Sequence, residues 1–219
     1  MSEPVKTGLG RRERKALATR HRVLDAAEAL FIRDGYAVTT MNAIAEAGDV
    51  AAPTVYAVFG TKRAILTELL EVRTLGDDRQ APLRDREDWQ AMEHEADPRR
   101  QIAMLASIAT RIGERIAALS EVMAAAAGSD PEIAAIHQQR QQARYQDQSV
   151  LALSLYRKGA LRAGLSQARA TDIMWAVASP RTYHSLVTER RWTAEEYELW
   201  LDHLLAATLL NRLVGDSEP

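Results

Sequence analysis

The chain has 219 residues, 47% hydrophobic and 26% charged, a balance typical of globular proteins with one large or two small domains. The absence of cysteine excludes disulfides and thiolate zinc sites, and the net charge of −2 conceals a basic N-terminal stretch. The longest apolar runs, such as Leu204–Leu210, are too short to span a bilayer, and the charged N-terminus lacks the apolar core of a signal peptide, so a cytoplasmic protein with no membrane partner is expected.

Residues 1–10 are polar, contain Gly8 and Gly10, and are expected to lack order in isolation. Over the next stretch Lys6, Arg11, Arg12, Arg14, Lys15, Arg20 and Arg22 face only Glu3 and Glu13, a basic arm suited to phosphate contact or, on its own, a solvated charged tail. A first helix is predicted from about Arg11 to Asp34, with Val23, Leu24, Ala27, Leu30 and Phe31 on one face and Gly35 just past its end. Thr39 to Lys62 then reads as two short helices around a tight turn. Thr40 is placed to cap the first, Asp49 and Val50 fall at the turn, and Pro53 occupies the first turn of the second, where a missing N–H costs little. Thr61 opens a fourth helix with Ile65, Leu66, Leu69 and Leu70 buried, leading toward Gly76.

From Pro82 onward every regular segment reads as helix. Trp89 and Met92 mark a short one, and Asp97-Pro98 starts a long one carrying Ile102, Leu105, Ile108, Ala109, Ile112 and Ile116. Asp130-Pro131-Glu132 restarts the chain after Gly128, in a helix predicted to reach Lys158 with Ile133, Ile136, Tyr145, Leu151, Leu155 and Tyr156 on its apolar positions. Ser166 begins the next, Ser179-Pro180 breaks or kinks it, and Tyr183 to Arg190 continues helically. Thr193 and Glu196 have capping-box spacing and open a last helix to about Val214, before a polar tail from Gly215. The expected fold is all-α: an N-terminal three-helix helix-turn-helix unit with its arm over residues 1–60, and a linking helix with a larger helical bundle over residues 61–219.

Several of these pieces together resemble the DNA-binding domain of the TetR/AcrR family of bacterial transcriptional regulators. They are Arg20-His21-Arg22-Val23-Leu24-Asp25-Ala26-Ala27, Leu30-Phe31, Gly35-Tyr36, Thr39-Thr40, Ile44-Ala45 and the run from Pro53 to Lys62. The chain departs from the family pattern at the turn, where Gly48-Asp49 and Ala51 replace the usual Ala-Gly and the Ser or Thr that opens the recognition helix. The resemblance implies phosphate contacts from Thr40, Thr54, Tyr56 and Lys62, and places Ala52 and Pro53 near base edges. The recognition surface offers no Arg, Asn or Gln for bidentate base reading, so shape readout with Arg11 or Arg12 in a minor groove would supply the rest.

The resemblance also implies a homodimer paired through about Ser166–Arg190 and Thr193–Val214, a double-stranded DNA operator, and a small apolar effector held inside the bundle. It implies a ligand-released repressor on a palindromic site. Large bundle residues belong to a core more often than to a pocket; the candidates for the pocket are Met104, Tyr145, Trp175 and Tyr183, with Arg111, Gln148 and His184 as polar groups. The five histidines show no metal spacing, Gly164-Leu165-Ser166-Gln167-Ala168 lacks the second glycine of a nucleophile elbow, and no phosphate loop is present, so neither enzyme activity nor a cofactor is expected. The rival reading is a helical small-molecule binder or enzyme that does not bind DNA, favoured by Asp49 and by the uncharged recognition surface.

Overall fold

The computed structural model describes residues 10–76 and 82–211. Lys6 and the rest of residues 1–9 of the arm, and the chain beyond Asn211 with Val214 and the Gly215 tail, lie outside them. The described helices are α1 Arg11–Asp34, α2 Met41–Ala47, α3 Ala52–Phe59, α4 Lys62–Leu75, α5 Glu87–His94, α6 Pro98–Ala127, α7 Pro131–Arg157, α8 Gln167–Val177, α9 Pro180–Tyr183 and α10 Ala194–Leu209. The chain divides into two compact units between Leu69 and Leu70, so α4 begins in the first and ends in the second. Among the described residues no helix is long and apolar enough to cross a membrane.

The first unit closes on one apolar core. Leu24, Ala27 and Phe31 of α1, Ile44 of α2, Val55 of α3 and Ile65 and Leu66 of α4 are almost wholly removed from water. Two threonines fix the helix starts: Thr40 Oγ1 accepts the Ala43 N–H and Thr61 Oγ1 the Ala64 N–H, each at 3.1 Å. Asp49 takes the turn with φ +50°, a left-handed conformation that Asp tolerates better than most residues. Its side chain does not cap α3, whose N-cap position is Ala51 and carries no side-chain hydrogen bond.

In the second unit α6 packs on α7, α9 and α10, and α7 packs on α8. Asp97 and Asp130 cap the two long helices through the Arg99 N–H (2.9 Å) and the Glu132 and Ile133 N–H groups (3.0 and 3.2 Å), each followed by a proline in the first turn. Gly113 lets α9 approach α6: a methyl there would meet the Tyr183 ring at 2.6 Å. The C-terminal end of α4 is held by Arg115, which donates to the Arg73 carbonyl at 2.9 Å and the Thr74 carbonyl at 3.1 Å.

Two segments differ from expectation. Ser179-Pro180 ends α8 outright, and after α9 the backbone over His184–Glu189 widens into a π-helix instead of continuing as α-helix. The last helix stops at Leu209, short of Val214, because the next residues pair with the segment after α7. Arg162 N–H donates to the Leu209 carbonyl at 2.8 Å, Asn211 N–H to Ala160 at 2.9 Å, and Leu161 and Leu210 form an isolated bridge.

Candidate nucleic-acid interface and ligand cavity

α3 turns Val55 and Phe59 inward, so its fixed spacing leaves Pro53, Thr54, Tyr56 and Val58 exposed and Ala52 half-buried. Thr40 is exposed at the start of α2, beside N–H groups that favour an anion. Arg11 and Arg12 occupy the exposed first turn of α1, so the described part of the basic arm is helical.

Three cations near this face are engaged within the unit. Arg20 forms a forked ion pair with Glu68 and lies 5.0 Å from the centre of the Phe59 ring. Arg22 donates to the Asp49 carbonyl at 3.2 Å, with its guanidinium 3.7 Å from the exposed Asp49 carboxylate. Lys62 Nζ donates to the carbonyls of Tyr36, Ala37 and Thr39 at 2.5, 3.2 and 2.7 Å and sits 4.2 Å from the Tyr36 ring centre. The ammonium therefore clamps the loop between α1 and α2.

The second unit contains a cavity of about 670 Å³. Apolar residues of α6, among them Leu105, Ile108, Ile112 and Ile116, line one side. From α7 come His137, Arg140, Arg144 and Gln148. The end of α4 (Leu70, Thr74), Trp175 of α8, residues 178–182 and Trp89 of α5 also line it.

Both arginines are tied to helix ends. Arg140 donates to Thr74 Oγ1 at 3.1 Å and reaches the Leu70 carbonyl at 3.5 Å. Arg144 donates to the Trp175 carbonyl at 2.7 Å, an orphan left where Pro180 ends α8, and to Gln141 Oε1 at 3.1 Å, and lies 4.9 Å from the Trp175 ring centre. Burial pushes both guanidinium pKa values down, that of Arg144 to about 10. Burial, and then the Arg140 charge, also push His137 below its ordinary value. Among the described residues, Trp89 Nε1, Arg144 Nε and Gln148 Oε1 are buried with no hydrogen-bond partner.

Of the seven pocket candidates read from sequence, Gln148 and Trp175 line this cavity; the other five lie outside its lining. Met104 is half-buried against the main core. Arg111 pairs with Asp88 at 2.6 Å on the surface. The Tyr145 hydroxyl donates to Asp172 at 3.1 Å, a bond that raises its pKa. Tyr183 is core, edge-on to Tyr197 with centroids 4.9 Å apart. His184 lies in the π-helical turn, 3.9 Å from Glu189.

Arg140, Arg144 and His137 carried a signal of their own. Ile133, His137, Arg140, Arg144, Gln148, Leu151 and Leu155 recur at intervals of three and four, forming one stripe that is apolar at both ends and cationic in the middle. Among the described residues no three His, Asp or Glu side chains gather as metal ligands would.

Residues 23–69 match the family model described as bacterial regulatory proteins, tetR family. No curated protein sequence matches the chain. Among solved structures it is similar to SmeT in complex with triclosan (19% identity, 92% of this chain and 97% of that one, TM-score 0.70). It is similar to a TetR-family transcriptional regulator from Syntrophomonas wolfei (19% identity, 92% and 100%, TM-score 0.68). It also resembles NalD, the secondary repressor of the MexAB-OprM multidrug efflux pump in Pseudomonas aeruginosa (20% identity, 92% and 100%, TM-score 0.67). At these identities the likeness is one of fold. Residues 23–69 are thus a helix-turn-helix domain of the tetR family of bacterial regulatory proteins, and the chain as a whole carries the fold of that family's regulators.

Proposed function

We propose that this DNA-binding regulator is a homodimeric repressor of a palindromic operator, released when a small molecule enters the cavity. The observation that carries the reading is α4. It starts at Lys62 inside the helix-turn-helix unit, and its last turns supply Leu70 and Thr74 to the cavity wall, so one helix runs on from the first unit into the second. A ligand that fits only one placement of that turn shifts the population by its difference in affinity, typically about 1–3 kcal/mol. Pro53, Thr54 and Tyr56, with Ala52, would face the major groove, Thr40 the phosphates, and Arg11 and Arg12 the adjacent backbone or minor groove. Two subunits are required because an eight-residue recognition helix buries too little DNA by itself. The exposed Leu199 and half-buried Trp200 on α10 offer apolar surface for that pairing. That NalD is a repressor and SmeT forms a complex with triclosan supports repression and ligand response by analogy.

The test is binding to a labelled duplex from the upstream region of the chain's own gene, against a scrambled duplex, at two salt concentrations. Specific, salt-sensitive binding is expected, and Arg11→Ala with Arg12→Ala should weaken it about tenfold and reduce the salt slope by about 2. Failure of a folded dimer to bind either duplex would overturn the reading and leave a small-molecule binder.

A further inference from the structure

We propose that the cavity takes an amphipathic anion, its apolar body against the α6 face and its anionic head on the guanidiniums of Arg140 and Arg144. This rests on the reading of the cavity as the effector site and names the chemistry of the effector.

Arg140 and Arg144 are one helical turn apart on the same face of α7, where like charges repel and each loses hydration. Neither has a carboxylate within ion-pair distance among the described residues. The carboxylates of the lining are occupied: Asp147 pairs with Arg84 at 2.5 Å, and Glu121 lies 3.5 Å from Arg181. Glu71 acts on Arg140 through its charge, without a hydrogen bond.

Each guanidinium has five donors and is matched here only to neutral acceptors. The Arg144 Nε is buried and idle. The α6 residues Leu105, Ile108, Ile112 and Ile116 give the lining its apolar part, and the Gln148 Oε1 is also buried without a hydrogen bond. An anion is the one ligand class that answers both guanidiniums together, with short charge-assisted bonds of the strongest kind. A neutral ligand would fill the apolar part and leave the two charges uncompensated.

The same geometry ties occupancy to α4. Arg140 holds the Leu70 carbonyl and Thr74 Oγ1 of that helix, and a head group that draws the guanidinium inward competes for those bonds.

The experiment titrates the full chain, without DNA, with laurate, dodecyl phosphate, dodecanol and dodecyltrimethylammonium, read by calorimetry. At least one of the two anions is expected to bind with Kd below about 100 µM, and dodecanol at least about tenfold more weakly. Whichever anion binds more tightly identifies the head group as carboxylate or phosphate. Arg140→Met and Arg144→Met should each cost the anion about tenfold or more without weakening dodecanol, and an unfolding midpoint not below wild type certifies the fold. The proposal is overturned if neither anion binds, if dodecanol or the cation binds as tightly as the anions, or if both variants retain wild-type anion affinity. Anion binding by a chain that recognises no duplex would sink the repressor reading alone. Duplex binding without anion binding would sink this one alone.

Discussion

Two sets of cations, one around α3 and one in the bundle cavity, are partnered in opposite ways. In the helix-turn-helix unit Arg20, Arg22 and Lys62 are satisfied by Glu68, by the Asp49 carbonyl and by three loop carbonyls, and the exposed face of α3 carries no charge. In the bundle, Arg140 and Arg144 are largely withdrawn from water yet have no carboxylate within ion-pair distance among the described residues. A buried charge without a counter-charge costs folding free energy, so it persists where a bound partner supplies one or where function needs it. Matched cations around α3 therefore serve the fold, and unmatched cations in the cavity point to a ligand.

The first side of that contrast breaks most visibly at Lys62. Lys62→Met removes three bonds from one ammonium and leaves the loop carbonyls unpaired. The cost should be about 2–3 kcal/mol, read as a lower unfolding midpoint, with the DNA salt slope unchanged wherever the variant is folded. Unchanged stability with a slope lower by about 1 would instead make Lys62 a phosphate ligand and undo the contrast.

The bundle is constrained by space as well as by charge. Gly113→Ala places a methyl 2.6 Å from the Tyr183 ring, whose Cβ at 3.0 Å leaves little room to yield. The expected loss is about 1–3 kcal/mol by overpacking, against the roughly 1 kcal/mol that Ala gains in helix propensity. A Tm at or above wild type would show that α9 moves freely off α6.

The same contrast governs what the sequence made legible. Helix starts at Thr40, Asp97, Asp130, Ser166 and Thr193 were readable because a cap is a local contract between a side chain and an N–H a few residues on. The inward face of α7 was not. Spacing and size place Tyr145 and Tyr156 on the apolar stripe, yet Tyr156 is exposed and Tyr145 bonds Asp172. The true stripe continues through Arg140 and Arg144, whose burial depends on α6 and on the ends of α4 and α8, partners far away in sequence. Likewise Leu210 leaves the last helix because of Leu161, a pairing no local pattern announces.

Asp49 gives the smallest expected effect and the sharpest test of whether this face meets DNA. Its φ of +50° costs an L-residue more than glycine, and its carboxylate is fully exposed, so the ion pair to Arg22 at 3.7 Å contributes little. The Arg22 bond to the Asp49 carbonyl survives any side-chain change. Asp49→Gly should therefore raise stability by about 0.5–1 kcal/mol through backbone relief. Asp49→Asn keeps the tolerance for left-handed φ and removes only the charge. If the turn lies beside phosphates, both variants should bind the operator about two- to fivefold more tightly at low salt, converging on wild type as salt rises. If the glycine variant is stabilised and neither gains affinity, Asp49 faces solvent in the complex, and the family's usual glycine at this place answers to backbone geometry alone.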